Sequence, residues 1–414
     1  VTEPAASPGP RPPAASLPAL PGLFEEGFHH DPYRSYQLLR EQGPVCPARY
    51  LPGSPAWVVT RYAEAAALLQ DPGLLRDRRH MDPRRELPAA ALPEDVAPYF
   101  DNILARRDPP DHTRLRQLVA HRFSAQEVRR LRPGIRAAVG RSADRLAARR
   151  TGPVDLVAEF AGPLPARVLG ELLHLGPDDR DELLVRTDAV RTLRPGQAGD
   201  PLHPMVRFAA RLLRMRREQP GDDLVSDLAG AHASGLLGDD ELLTLLISLL
   251  MAGLDVTANL IGTAVLTLLT CPGQWERVRA DRALVPQAVE EVLRYRCPLE
   301  LAARRFTGGP CTVGGVTVPA RNTVQIALAA ANRDPRRFPD PERFDIGRKD
   351  KMHLAFGHGS HFCIGADLGR AEAELALLAL LDRFPRLELA VAPERIAWRA
   401  SFLRAPAALP VRLG

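Results

Sequence analysis

Lysine is nearly missing from this chain of 414 residues: only Lys349 and Lys351 occur, and arginine carries almost all the positive charge. Cysteine is also sparse. Cys46, Cys271, Cys297, Cys311 and Cys363 are scattered and odd in number, without a CxxC pair. They suggest neither a disulfide framework nor a zinc site, and with no leader pattern in view they point to a reducing cytoplasm. Neither sign of charge dominates, since 55 basic residues face 50 acidic ones for a net +5. No zinc finger and no basic stripe interleaved with aromatics is present, so nucleic acid is not an expected partner. The chain also lacks a GxGxxG turn, so any nicotinamide or flavin chemistry has to come from another protein.

One long apolar run is present, Leu242 to Leu269, with Asp255 as its single charge. It exceeds the length a bilayer requires. A spanning helix would hold Asp255 and Asn259 near the hydrocarbon centre without a basic flank to orient it. A helix buried through a large core is therefore expected, and no membrane partner.

The hydrophobic fraction of 45% suffices for such a core. Residues 1–22 are mostly Pro, Ala, Ser and Gly and read as a disordered tail, leaving 23–414 as one domain. Helices are expected after Asp31, ending at Gly43, over Ala63–Gln70, through most of Asp111 to Asp281 with breaks at Arg194-Pro195-Gly196 and Pro220-Gly221, and over Ala366–Phe384. Strands are expected at Ala56–Thr60, in a hairpin at Cys311–Pro319 around Gly314-Gly315, at Thr323–Leu328, and as an edge pair at Leu387–Ala390 and Leu409–Leu413. The chain thus reads as mainly α with a small β portion. An Arg, Ala, Leu and Pro bias suggests a GC-rich bacterial source.

Three motifs carry chemistry. Phe356-Gly357-His358-Gly359-Ser360-His361-Phe362-Cys363-Ile364-Gly365 sets one cysteine between glycines, just before the helix expected from Ala366. There, free N–H groups and the helix dipole favour an anionic sulfur. His112 and Arg116, four apart after Pro109-Pro110, share a helix face suited to gripping carboxylates. Glu291 and Arg294 share another face, and Arg343 follows in PERF.

The cysteine run resembles the haem-binding loop of the cytochrome P-450 family, FGxGxHxCxG. Six fixed letters meet by chance on the order of once in 100,000 chains of this length. The resemblance covers about residues 30–414 and implies the P-450 fold, haem b as cofactor, and Cys363 as axial thiolate on its iron, a ligand that favours O–O cleavage. Phe356, Gly357 and Gly365 belong to the same cofactor loop. It further implies that His112, Arg116, Arg305 and His361 pair with the haem propionates. Arg305 is preferred to Arg304 because its spacing to Gly314-Gly315 fits better. Glu291, Arg294 and Arg343 are implied to form a buried carboxylate and guanidinium network.

In the central helix the family carries small residues, an acid and an alcohol that relay protons to oxygen. This chain has Ala252, Gly253, Leu254, Asp255 and then Val256, with Thr257 one residue late. One residue turns a side chain by about 100° around a helix, so Thr257 cannot simply replace the missing alcohol, whereas Asp255 can still relay protons. The expected activity is a monooxygenase acting on a small, largely apolar natural-product intermediate, as in antibiotic biosynthesis, with electrons from a ferredoxin and its reductase. An Arg-rich stretch (Arg106, Arg107, Arg114, Arg122, Arg129, Arg130) is the expected dock. Val256 keeps open oxidative coupling, cyclisation or peroxide-driven oxidation, and a non-catalytic haem protein is the reading from another class.

Overall fold

The computed structural model describes residues 22–23, 28, 31–51, 54–82, 94–149, 152–191, 202–399 and 403–414. All but Gly22 of the expected tail lies outside the described residues, as does the break expected at Arg194-Pro195-Gly196.

Asp31 opens helix α1 (Pro32–Gln42), its carboxylate accepting the Arg34 N–H at 3.2 Å. Strands β1 (Val45–Leu51) and β2 (Ser54–Val59) follow, then α2 (Tyr62–Gln70) and β3 (Leu74–Leu75). Strand β1 escaped the sequence reading because Pro47 interrupts its pattern. Helices α3 (Ala97–Asp101), α4 (Asp111–Val119) and α5 (Ala125–Ala147) come next, then β4 (Val154–Asp155) and α6 to α9 (Leu164–Leu172, Pro177–Arg191, Leu202–Glu218, Leu224–Ala233). Two central helices, α10 (Asp239–Ala252) and α11 (Leu254–Thr270), precede α12 (Gln274–Ala280) and α13 (Val285–Tyr295). Strands β5 to β8 are Arg305–Thr307, Cys311–Val313, Val316–Val318 and Thr323–Ile326. The short α14 (Leu328–Ala331), the long α15 (Ala366–Arg383), β9 (Glu388–Leu389) and β10 (Pro410–Arg412) complete the order.

The main sheet runs β1-β2-β8-β5-β3, with β2 and β8 parallel at Trp57 and Val324 and the remaining pairs antiparallel. The hairpin β6-β7 turns at Gly314 and Gly315, both at positive φ as a tight primed turn requires. Strand β10 lies between β4 and β9, with Val411 opposite Val154 and Leu389. The expected pairing of the last two strands is present, but β10 is central rather than an edge because β4 covers its other side.

The helical core is built where α5, α11, α13 and α15 meet, around Ile135, Val139, Leu146, Ile261, Val265, Val289, Val292, Leu377 and Leu380. Residues Thr257 to Leu268 of α11 are buried on every face, which is why the sequence there is apolar all round. The segment Asp239–Thr270 is long and apolar enough to cross a membrane, yet 67% of its most apolar window is buried inside the fold. Its helix is not continuous as expected. It breaks at Gly253, where the missing side chain lowers helix propensity, and the break opens beside the cavity described next.

Candidate functional site

The loop before α15 is shaped by two glycines in left-handed conformations, Gly357 at φ 72° and Gly359 at φ 77°. A Cβ on Gly359 would meet the Leu69 carbonyl oxygen at 3.0 Å, so glycine lets this loop lie against α2. Cys363 accepts at its carbonyl from Ala366 and donates its N–H to the Phe356 carbonyl at 2.9 Å. Gly365, the residue capping α15, is at φ −91° and supplies an N–H to the sulfur rather than an unusual dihedral. Burial pushes the Cys363 thiol up, while that N–H, Arg116 and Arg370 pull the other way. The residue is exposed only in that it faces a cavity. Among the described residues no group of three His, Cys, Asp or Glu side chains is arranged to hold a metal ion, so Cys363 is a lone donor.

The cavity measures about 370 Å³ and runs between the Cys363 loop and the break in the central helix. Ala252, Gly253, Val256 and Thr257 line it on one side, and Phe356, Gly357, His361, Cys363 and Gly365 on the other. Leu249, Leu250, Leu254, Leu299, Ala302 and Ala303 also line it, together with Arg76 and Ala105. A wall of Leu131, Leu169, Leu172 and Leu224 was not foreseen, because leucines on the inner faces of α5, α6 and α9 look like ordinary core. Glu372 also lines the cavity. It is buried with Oε2 unpartnered, and burial holds its carboxyl well above the usual range.

Thr257 packs against α15, its Oγ1 lying 3.9 Å from where a Cβ on Gly369 would sit. Asp255 occupies the first turn of α11 and is half-buried; unlike Val256 and Thr257, it is not part of the cavity wall.

At one end of the cavity, basic groups crowd together. His112 is 2% exposed, its ring lies 3.7 Å from that of His361, and its Nδ1 has no hydrogen-bond partner. Arg305 is 2% exposed with Nη2 unpartnered, while Arg304 turns away toward the Tyr50 ring. Arg116 donates from Nη2 to the Phe362 carbonyl at 2.7 Å, tying α4 to the cysteine loop. Burial, with repulsion from neighbouring guanidiniums, lowers His112 to about 4 and His361 to about 2; burial lowers Arg305 to about 10. Sequence reasoning thus brought His112, Arg116, Arg305 and His361 to one place and missed Arg76.

The Glu291 and Arg294 pair is fully buried, with Arg294 donating to both carboxylate oxygens at 2.8 and 2.9 Å. Arg294 also donates to the Asn332, Pro341 and Arg343 carbonyls. Arg343 does not join through its side chain, which is 70% exposed and faces Asp345 at 3.7 Å. Arg348 supplies the further guanidinium instead, donating to Glu291 at 3.2 Å and to the Arg343 carbonyl at 3.1 Å. The PERF segment reaches the pair through its backbone, which a residue pattern does not reveal.

A profile of the cytochrome P-450 family matches residues 202–407. The 6-deoxyerythronolide B hydroxylase of Saccharopolyspora erythraea is 41% identical over 96% of this chain and 100% of that protein. The chain belongs to the cytochrome P-450 family. The P-450 monooxygenase PikC of Streptomyces venezuelae is likewise 41% identical, over 96% of this chain and 95% of that one. Among solved structures, the tirandamycin C-bound P-450 monooxygenase TamI superposes with a TM-score of 0.85 at 36% identity, covering 94% of this chain and 99% of that one. The chain is therefore an oxidoreductase of the kind bacterial natural-product pathways use, with the mainly α P-450 fold and haem b as the family's cofactor. The residues present fit that group: a lone thiol just before a helix start, a cavity bordered by Gly253, Gly357 and Gly365, and buried nitrogens of His112 and Arg305 without partners.

Proposed function

We propose that this P-450 oxidises a small, largely apolar natural product, of the polyketide type named for the relative PksS of Bacillus subtilis, inside one haem-binding domain spanning 23–414 and working in the cytoplasm. The observation that carries the reading is a cavity lined by Cys363 and His361 together with the small pair Ala252-Gly253. Haem b, when bound, supplies dioxygen activation. Cys363 is the thiolate that ligates its iron, and Phe356, Gly357 and Gly365 shape the surrounding loop. His112, Arg116, Arg305 and His361 orient the cofactor through its propionates. Ala252 and Gly253 leave room for a diatomic molecule. Asp255 receives and passes protons, and Thr257 contributes a hydroxyl at the cavity wall. The leucine wall excludes water and favours an apolar ligand.

Electrons come from a ferredoxin and its reductase. The Arg-rich stretch is an incomplete dock, since Arg106 pairs with Asp101, Arg114 with Glu241, Arg122 with Asp222 and Asp227, and Arg130 with Glu127. Exposed Phe362, 40% accessible on the cysteine loop, adds an apolar contact.

Val256 supports a second reading, in which the product forms by coupling or ring closure or the oxidant is peroxide. Weighing products formed from candidate substrates tests coupling and ring closure, since loss of two hydrogens supports them and gain of one oxygen supports oxygen insertion; product formed with peroxide but without reduced nicotinamide identifies peroxide as the oxidant. In Val256→Thr, product formed per reduced nicotinamide rises if the missing alcohol limits proton delivery; an unchanged ratio rejects that role.

A further inference from the structure

Arg76 stands at the end of β3 and is only 9% exposed, yet its side chain lines the cavity. Its main chain is fastened by a single carboxylate: Asp108 accepts the Arg76 N–H at 2.9 and 3.1 Å and the Asp77 N–H at 3.0 Å. Asp108 thereby commits its oxygens to backbone. Among the described residues the guanidinium makes one hydrogen bond, from Nη1 to the Ala105 carbonyl at 3.1 Å, although it carries five N–H donors. The groups acting on it electrostatically are Arg305, His112, His361 and Asp108. Burial and Arg305 lower its pKa to about 9, so it stays charged at neutral pH beside another cation. Two guanidiniums held together in a buried place are costly unless anions accompany them.

The charge count is specific. Arg116 engages the Phe362 carbonyl through Nη2, while His112 Nδ1 and Arg305 Nη2 are buried without hydrogen-bond partners. Arg76 and Arg305 are two guanidiniums buried at this end of the cavity, and haem b carries two propionates. We propose that Arg76 is a further carboxylate-binding residue of this P-450, sharing the haem propionates with Arg305 and its neighbours. This rests on the haem reading above.

The test uses the holoenzyme, transferring its haem to excess apomyoglobin. Arg76→Gln should speed haem release on the order of ten-fold, the loss of one charge-assisted hydrogen bond, and Arg76→Lys should recover most of the difference. Should Arg76→Gln fail to fold, resonance Raman of Arg76→Lys decides: the propionate bending band shifts while the ring modes stay in place. Release within two-fold of the parent, or an unmoved propionate band, overturns the proposal. Unchanged release with weaker binding of myristate, read as a Soret shift, also overturns it and assigns Arg76 to a substrate carboxylate. A parent protein that takes up no haem rejects the underlying reading instead, a failure distinguishable from an Arg76 variant behaving like a haem-loaded parent.

Discussion

Two buried clusters of arginine in this P-450 solve opposite problems. Around Glu291 the guanidiniums of Arg294 and Arg348 meet a carboxylate and the carbonyls of Asn332, Pro341 and Arg343, so their donors find acceptors within the chain. Around His361 the guanidiniums of Arg76 and Arg305 face imidazoles, and the polar atoms Nδ1 of His112 and Nη2 of Arg305 are buried without partners. The first cluster is complete and holds the fold. The second is complete only with an anionic ligand, which is how one fold separates a structural arginine from a binding arginine.

The sharpest way to break this comparison is to remove one arginine from each cluster. Arg294→Met leaves Glu291 charged and buried, and should cost about 3–5 kcal/mol in denaturant unfolding. Arg305→Met relieves repulsion, so the haem-free protein should be no less stable while haem binding weakens. Equal losses of stability would erase the distinction.

A second prediction uses pH. The folded pKa of His112, about 4, lies below its ordinary 6.5. The unfolded chain therefore takes the proton first as pH falls. His112's contribution is intact above about pH 6.5 and is lost toward pH 4, at roughly 1.4 kcal/mol per pH unit in the haem-free protein. His112→Gln should flatten that slope in acid-titrated unfolding curves.

Within the complete cluster, Arg348→Ala should destabilise by about 1–3 kcal/mol, through its lost hydrogen bond to buried Glu291 and those to backbone carbonyls. Arg343→Ala should fall within about 0.5 kcal/mol of the parent, because its side chain is exposed. The smallest effect belongs to the surface: rising salt should slow reduction by ferredoxin modestly, since most of the basic stretch is already paired. A rate independent of salt would remove that stretch from the dock.

Much of this was legible in the sequence where the signal is local. The cysteine loop, the start of α1 and the β6-β7 hairpin are short runs whose chemistry and backbone requirements sit within a few residues. What resisted reading depends on distant contacts. Nothing in the letters around Arg76 separates it from exposed Arg78 and Arg79; its backbone is held by Asp108, thirty-two residues on. The exchange of Arg343 for Arg348 turns on which residue offers a backbone carbonyl, and the break at Gly253 shows a helix ending that an apolar pattern conceals.

The account stands most directly on the absorption of the reduced protein under carbon monoxide, compared with Cys363→Ser. It predicts the strongly red-shifted Soret band of thiolate ligation in the parent and its loss in the variant. Haem bound in the parent without that band, or the band persisting without the Cys363 sulfur, would contradict it.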